Sequence, residues 1–239
     1  MTHADHVYAV VPAAGVGRRM GGPTPKQYLS LDGSPVIRWS LDALLVHPEV
    51  RGAVVAISPD DDWWSALNLG FDKPVDVVQG GAERAQSVLN ALNWLHDLPT
   101  PPSWVLVHDA VRPCVSPDEL TRLLAVARAA DDGGLLASPV RDTLKRQNPG
   151  VERVSSTVDR TGLWHALTPQ CFPLVRLRAA LQEALGAGQQ VTDEAQAMEL
   201  AGYRPALVEG SRLNIKLTYP ADLSLVECIL QAQRDDSNT

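Results

Sequence analysis

The chain has 239 residues and a formal net charge of -7, with 45% hydrophobic and 21% charged residues. This length and composition suit one large globular domain. The acidic balance, with a pI near 5.3, excludes the broad basic face that non-specific nucleic-acid binding requires. No apolar run approaches the roughly 18 residues of a membrane span, and the first residues do not resemble a secretory signal. We therefore expect a cytoplasmic protein with neither a nucleic-acid nor a membrane partner.

A glycine-rich loop follows the first predicted strand, the apolar run 7–11. Gly15 and Gly17 allow backbone N–H groups to approach a ligand closely, because glycine lacks a Cβ and accepts positive φ. Three cations within nine positions locally reverse the charge of the chain: Arg18, Arg19 and Lys26. An ordinary surface turn would explain the glycines alone. The preceding strand and the following lysine favour a loop that holds phosphate groups.

Strands and helices then alternate. Ser34 is predicted to cap a helix that has Pro35 at its first position. Further strands are predicted at the apolar runs 52–57, 75–78 and 104–107, with helices between them. This order predicts an α/β fold with a parallel sheet and right-handed crossovers.

A second glycine-rich turn, from Gly80 to Ser87, joins the third strand to a helix. Ligands of open α/β sheets bind beyond the carboxyl ends of the strands, so we expect this turn to face the first loop. A tight strand-to-helix connection without a ligand is the alternative.

The fourth strand runs directly into His108, Asp109 and Arg112. Aspartate and arginine are rarely buried unless paired, so one interpretation is an ion pair that fixes the loop. The other is that Asp109 positions a metal-bound or hydroxyl-bearing ligand while Arg112 contacts a phosphate. We expect His108 to form local hydrogen bonds rather than to act as a general base.

The segment 139–159 is charged and lacks a continuous apolar face. It is predicted to form two strands around a turn at 148–150. Because an isolated hairpin is only marginally stable in water, we expect a second subunit to cover it. A mobile flap over its own site is the alternative.

The remaining sequence completes one domain that spans 1–239 and includes the arm at about 139–160. Ser116 and Glu119 form a predicted capping box. Thr192 is predicted to cap a helix whose first turn contains Asp193 and Glu194, where the helix dipole favours acids. Lys216 lies in a predicted strand, 213–217, where its ammonium needs water or an anion.

These groups together predict a nucleoside triphosphate site. The P-loop pattern GxxxxGK[ST] and the dinucleotide pattern GxGxxG are both absent, which argues against kinases and dehydrogenases. The patterns of zinc deaminases and serine hydrolases are absent as well.

Seven motifs in order resemble the family of 2-C-methyl-D-erythritol 4-phosphate cytidylyltransferases: PAAGVGRRM with PKQYL, GGAERAQSVL, HDAVRP, PVRDTLKR, TVDRTGLWHALTPQ, TDEA and NIKLT. The resemblance covers nearly the whole chain. It implies a homodimeric enzyme with a Rossmann-like, mostly parallel sheet flanked by helices and a protruding β-hairpin arm used in dimerisation. It also implies a reaction between CTP and 2-C-methyl-D-erythritol 4-phosphate that releases pyrophosphate, in the non-mevalonate route to isoprenoid precursors.

The resemblance implies three groups of site residues. Arg19 and Lys26 would be the catalytic pair. The nucleotide would be held by Ala13, Ala14, Gly15, Gly17, Arg18, Gly81, Ala82 and Ser87. The second substrate would be held by Asp109, Arg112, Thr143, Arg160, Thr168, Thr192 and Lys216. Because the family's arm crosses to the partner subunit, Thr143 and Arg160 would serve the neighbouring site.

Both reactants are anions, so cations are expected to provide catalysis by positioning and charge stabilisation. The expected cofactor is Mg²⁺, held mainly by the triphosphate, with Asp109 as a possible contact. Related enzymes commonly carry aspartate where this chain has Ala82 or Gln86, which leaves the role of those carboxylates open here. Two other functions remain as alternatives: a cytidylyltransferase for a pentitol phosphate such as ribitol 5-phosphate, and a catalytically idle nucleotide-binding module.

Overall fold

The computed structural model describes residues 6–15 and 24–237. Within these ranges a seven-stranded sheet has the strand order β11-β7-β10-β6-β1-β4-β5. Its strands are β1 (Val7–Pro12), β4 (Val50–Ile57), β5 (Val75–Gln79), β6 (Trp104–Val107), β7 (Gly134–Pro139), β10 (Trp164–Pro173) and β11 (Ala206–Glu209). β10 runs antiparallel to both of its neighbours, whereas the other described pairings in this sheet are parallel. The expected α/β fold with a mostly parallel sheet is confirmed.

Helices cover both faces of the sheet. They are α1 (Val36–Leu45), α2 (Trp63–Leu67), α3 (Arg84–His96), α4 (Pro117–Ala130), α5 (Leu174–Gly186), α6 (Glu194–Leu200) and α7 (Asp222–Ser237). The central strands are apolar at almost every position because both of their faces are buried. Val11 and Val55 pack into a core cluster with α1 and α4, whereas Val10 and Val54 pack into another with α3, α5 and α6.

Ser34 does not cap α1, contrary to the sequence prediction. Two short strands, β2 (Ser30–Leu31) and β3 (Ser34–Pro35), pair around a turn in which Asp32 has a φ of 49° and Gly33 a φ of 76°. An Asp-Gly pair favours such a two-residue hairpin because both central residues need positive φ. The hairpin therefore occupies Ser34 and Pro35, and α1 begins at Val36 without a side-chain cap.

Two predictions near the carboxyl end are wrong as well. Asp193, rather than Thr192, caps α6, and its carboxylate accepts the backbone N–H of Gln196 at 2.9 Å. The segment 213–217 is irregular rather than a strand. Its residue Leu217 donates its backbone N–H to the carbonyl of Val111 at 2.9 Å, so this segment is held against the loop after β6 and not by a strand ladder.

The predicted capping box and hairpin are both present. Ser116 and Glu119 exchange their hydrogen bonds at the start of α4. The hairpin comprises β8 (Leu144–Gln147) and β9 (Val154–Val158), which pair antiparallel and whose side chains are mostly exposed. Among the described residues, no helix has both the length and the apolar character needed to cross a membrane.

Candidate functional site

Two adjoining pockets lie where the opening loop, the second glycine turn and the loop after β6 meet. The first pocket contains Ala13, Ala14, Gly15, Lys26, Gly81, Ala82 and Ser87 in its lining. The lining of the second includes Arg112, Thr168, Gln170, Thr192 and Asp193. Arg84, Asp109 and Lys216 line both pockets and form the wall between them. The expectation that the two glycine-rich segments face each other is confirmed.

Gln27 holds the start of the opening loop in place. Its side-chain amide is buried and donates to the carbonyl of Ala13 at 2.7 Å and to that of Gly15 at 3.1 Å. The backbone N–H of Ala13 is bound in turn to the carbonyl of Ala56, at 2.7 Å, beyond the end of β1. The loop is therefore fixed by a side chain that comes directly after Lys26.

The second glycine turn packs closely against the opening loop. A Cβ at Gly80 would lie 2.6 Å from the Cβ of Ala14 and 2.9 Å from Oγ of Ser87, so this position requires glycine. The buried hydroxyl of Ser87 accepts the backbone N–H of Gly81 at 3.0 Å and donates to the carbonyl of Glu83 at 3.1 Å. Ser87 thus shapes the turn and leaves one lone pair of its oxygen for a ligand.

Asp109 is at the centre of the wall, where three cations surround its carboxylate. Its Oδ2 lies 2.8 Å from Nζ of Lys216 and 3.2 Å from Nε of Arg112, and its Oδ1 lies 3.2 Å from Nε of Arg84. Burial alone would raise the pKa of Asp109, but the charges of the three cations outweigh burial and hold that pKa well below its usual range. The carboxylate is therefore ionised, and the wall retains an excess of positive charge.

Arg84 also binds a second carboxylate, that of Glu194, for which the sequence predicted only a favourable interaction with the helix dipole. Its guanidinium forms a bidentate pair with Glu194, at 2.7 Å and 3.1 Å, and Glu194 is 1% exposed. Burial favours a lower pKa for Arg84, but the charges of Glu194 and Asp109 raise it above its ordinary value. The role of this pair was missed because its members are 110 positions apart in the sequence. The sequence signal for this pair was an arginine close to the two glycines of the second turn.

The second pocket rests on a buried network beneath Asp109. Thr168 lies where the pairing of β10 with β7 is interrupted, and its hydroxyl accepts the backbone N–H of Asp109 at 3.1 Å. The same hydroxyl lies 3.0 Å from Nδ1 of His108. Arg112 donates from its guanidinium to the carbonyl of Asn214 at 2.7 Å. The expected local bonding of His108 is confirmed, and the ion pair between Asp109 and Arg112 is present.

The structure places the remaining predicted residues as follows. Thr192 is exposed at the rim of the second pocket, and Lys26 is half-buried in the first, with Nζ 3.4 Å from the carbonyl of Leu217. Among the described residues, Thr143 and Arg160 are exposed beside the hairpin and line neither pocket. Three predicted site residues lie outside the described ranges: Gly17, Arg18 and Arg19.

A Mg²⁺ ion would take part of its ligands from a bound triphosphate, because Mg²⁺ is usually held by one or two carboxylates together with substrate phosphates. Residues 6–15 and 24–237 contain no group of three or more histidine, cysteine, aspartate or glutamate side chains arranged to hold a metal. Three cations already surround the carboxylate of Asp109, and their charges disfavour a further cation beside it.

The geometry suits the joining of two anionic ligands. Cations from four segments line the two pockets: Lys26, Arg84, Arg112 and Lys216. The backbone of both glycine-rich segments borders the first pocket, as expected for a ligand with a base, a sugar and phosphates. The neutral, buried His108 is below the wall and is a poor candidate for proton transfer, because burial lowers its pKa to about 4.

Comparisons with known proteins agree with this geometry. A family model described as 2-C-methyl-D-erythritol 4-phosphate cytidylyltransferase matches residues 7–232. The protein of that name from Halorhodospira halophila is 57% identical over 231 residues, which are 95% of each chain. The one from Escherichia coli O7:K1 is 51% identical over 238 residues, 100% of this chain and 99% of its own.

Solved structures give the same result. A crystal structure of 4-diphosphocytidyl-2C-methyl-D-erythritol synthase has a TM-score of 0.81 at 38% identity, covering 95% of this chain and 98% of its own. The 2-C-methyl-D-erythritol 4-phosphate cytidylyltransferase of Francisella tularensis has a TM-score of 0.80 at 35% identity, covering 94% of this chain and 100% of its own.

Proposed function

Because this chain belongs to the 2-C-methyl-D-erythritol 4-phosphate cytidylyltransferase family, we propose that its two pockets divide the two substrates of that reaction between them. The enzyme joins CTP and 2-C-methyl-D-erythritol 4-phosphate to give 4-diphosphocytidyl-2-C-methyl-D-erythritol and pyrophosphate, in the non-mevalonate route to isoprenoid precursors. The main evidence for this assignment is that two adjoining pockets share one wall, which is formed by Arg84, Asp109 and Lys216 and has a net positive charge.

We assign CTP to the first pocket. The backbone of Ala13, Ala14, Gly81 and Ala82, with the free lone pair of Ser87, would contact the cytidine. The triphosphate would lie against Gly15 and Lys26, with Gly17, Arg18 and Arg19 of the same loop as further predicted contacts. Ala82 would make its contact through the backbone, which does not require the aspartate that the resemblance leads one to expect there.

We assign the methylerythritol phosphate to the second pocket. Arg112 and Lys216 would neutralise its phosphate, and Asp109 would accept a hydrogen bond from a substrate hydroxyl. Thr168 and Thr192 line the same pocket. We propose that the enzyme is a homodimer and that Thr143 and Arg160 of each hairpin arm reach the partner's second pocket. The exposure of the hairpin supports this arrangement, because a two-stranded hairpin alone buries little apolar surface.

The reaction then needs no protein nucleophile. A phosphate oxygen of the second substrate attacks the α-phosphorus of CTP, a new P–O bond forms, and the bond to the leaving pyrophosphate breaks. Lys26, Lys216 and the predicted Arg19 would neutralise the charges that otherwise repel the two reactants. Mg²⁺, held by triphosphate oxygens, is the predicted cofactor and would supply further neutralisation of charge.

The assignment of the pockets can be tested with one variant from each. Ser87→Ala is expected to raise the KM for CTP and to leave the KM for 2-C-methyl-D-erythritol 4-phosphate near the wild-type value. Thr192→Val, at a residue that lines the second pocket and not the first, is expected to raise the KM for 2-C-methyl-D-erythritol 4-phosphate and to leave the KM for CTP near the wild-type value. Steady-state kinetics with one substrate varied and the other saturating would measure both constants. Equal effects of either variant on both constants would contradict the division of the pockets.

The pentitol phosphate alternative predicts a different outcome. If the second pocket were built for ribitol 5-phosphate, that compound would be turned over in preference to 2-C-methyl-D-erythritol 4-phosphate. The family match, which covers residues 7–232, favours the methylerythritol substrate. An idle nucleotide-binding module would bind CTP without releasing pyrophosphate when both substrates and Mg²⁺ are present.

A further inference from the structure

Arg84 connects three segments that belong to different parts of the proposed site. It is the first residue of α3 and lies within the second glycine-rich turn, which borders the first pocket. Its Nε binds Asp109 in the loop after β6, and its two terminal nitrogens bind Glu194, the first residue of α6. α6 follows Thr192 at the rim of the second pocket. One guanidinium thus bridges the nucleotide side and the substrate side of the wall.

The geometry of this bridge depends on the planar fork of arginine. Arg84 uses Nε toward one carboxylate and both terminal nitrogens toward the other, so each contact restricts the orientation available to the other. Glu194 is 1% exposed, and within the described ranges its ion-pair partner is Arg84 alone. A buried carboxylate that bound nothing else would be costly, so Glu194 fixes the position of Arg84 strongly.

Asp109 couples the position of Arg84 to the positions of Arg112 and Lys216, which line the second pocket. With Oδ1 held by Arg84, Oδ2 is directed to Arg112 and Lys216, at 3.2 Å and 2.8 Å. Without the contact to Arg84, the Asp109 carboxylate could rotate and present either of its oxygens to Arg112 and Lys216. A displacement of about 1 Å in a positioning group can cost on the order of 10²-fold in rate.

We propose that Arg84 and Glu194 are a positioning pair that fixes Asp109, and through it Lys216, in the orientation that binds the polyol phosphate beside the nucleotide. This inference rests on the proposed function, since it assigns the second pocket to the polyol phosphate. Two other roles are the alternatives: the pair could only link α3 to α6 structurally, or Arg84 could only supply positive charge to the site.

A charge-neutral double substitution separates these roles. Arg84→Met with Glu194→Met removes one positive and one negative charge, so the formal net charge of -7 is unchanged. Replacing a buried ion pair by apolar side chains of similar volume is often neutral or stabilising. The control is Arg128→Met with Glu49→Met, which removes another arginine–glutamate pair whose carboxylate is more exposed, and those two residues line neither described pocket.

The measurement is equilibrium titration of the full chain, first with a non-reacting α,β-methylene analogue of CTP and Mg²⁺, then with 2-C-methyl-D-erythritol 4-phosphate. We expect the double variant to melt near the wild-type temperature and to lose much less affinity for the CTP analogue than for the polyol phosphate. We expect it to bind the polyol phosphate on the order of 10-fold more weakly or worse. The control pair should bind both ligands as the wild type does.

Arg84→Lys is a second variant that retains the charge and does not leave Glu194 without a cation. We expect weak binding of the polyol phosphate here as well, because an ammonium cannot form the fork that holds both carboxylates. Full rescue by lysine would overturn the proposal, as would wild-type binding of the polyol phosphate by the double variant or an equal loss of both ligands.

The titrations decide this inference independently of the reaction. If the wild type bound both ligands but released no pyrophosphate from CTP, the proposed function would be wrong. The comparison of the variants would still show whether Arg84 and Glu194 position the second ligand.

Discussion

The hydroxyl of Thr168 donates a hydrogen bond to Nδ1 of His108, and the two atoms are 3.0 Å apart. The direction follows from the other ring nitrogen, because Nε2 lies 2.9 Å from the carbonyl oxygen of Arg112, which can only accept. The ring is therefore neutral with its proton on Nε2, and the Thr168 oxygen accepts the backbone N–H of Asp109. Together the two side chains hold Asp109 in place from below.

This arrangement predicts how acid affects the fold. Burial lowers the pKa of His108 from 6.5 to about 4. The unfolded chain therefore takes up the proton first as the pH falls, so this contribution to stability is complete above about pH 6.5 and is lost progressively down to about pH 4. The expected loss is on the order of 3 kcal/mol of unfolding free energy.

Histidine NMR provides the direct measurement of this pKa. The ring signal of His108, assigned among the six histidines by substitution, should not shift between about pH 8 and about pH 5.5. A midpoint near its ordinary value would contradict the neutral, buried ring.

Gln27→Glu should loosen the opening loop. The substitution replaces the amide donor by carboxylate oxygen, so the carbonyls of Ala13 and Gly15 lose their partner and face an acceptor. We expect the unfolding free energy to fall by about 1–3 kcal/mol and the affinity for CTP to fall with it. Thermal melting and CTP titration would measure both effects, with Gln190→Glu at an exposed position as the control. A variant that matched this control would show that Gln27 does not hold the loop.

Lys26→Ala tests the proposed charge stabilisation in the first pocket. Removing one preorganised cation should lower turnover on the order of 10²-fold, with little change in melting temperature. Lys73→Ala is a suitable control, because Nζ of Lys73 binds the carbonyl of His47 and Lys73 lines neither described pocket. Near-normal turnover of Lys26→Ala would remove Lys26 from the catalytic group.

Mixing two inactive variants tests whether the hairpin arm serves the partner's site. A dimer formed by one Lys26→Ala chain and one Arg160→Met chain would contain one site with both residues intact and one with neither. Equal mixing should therefore restore about a quarter of the wild-type activity if exchange is random. If each site used its own Arg160, every site would carry a defect, and mixing would restore nothing.

The sequence predicted those parts of the fold that depend on local patterns. Apolar runs gave β1, β4 and β6, because strands buried on both faces must be apolar throughout. The capping box of Ser116 was equally local. The hairpin at Asp32 and Gly33 also had a local signal, but the proline that follows it favoured a helix start instead.

Two further features that were missed depend on long-range contacts. The segment 213–217 is apolar enough for a strand, yet Leu217 bonds to the loop at Val111 and Lys216 extends to Asp109. The pairing of Arg84 with Glu194 joins the starts of two helices and has no periodicity to reveal it. Sequence patterns predicted which segments converge on the site but could not predict how Asp109 is shared among three cations.

The most direct test of this account is a pyrophosphate-release assay of the purified chain with CTP, 2-C-methyl-D-erythritol 4-phosphate and Mg²⁺, with the product identified by mass spectrometry. We predict one pyrophosphate for each 4-diphosphocytidyl-2-C-methyl-D-erythritol formed, and much lower turnover when ribitol 5-phosphate replaces the methylerythritol phosphate. Preference for ribitol 5-phosphate, or binding of CTP with no pyrophosphate released, would contradict it.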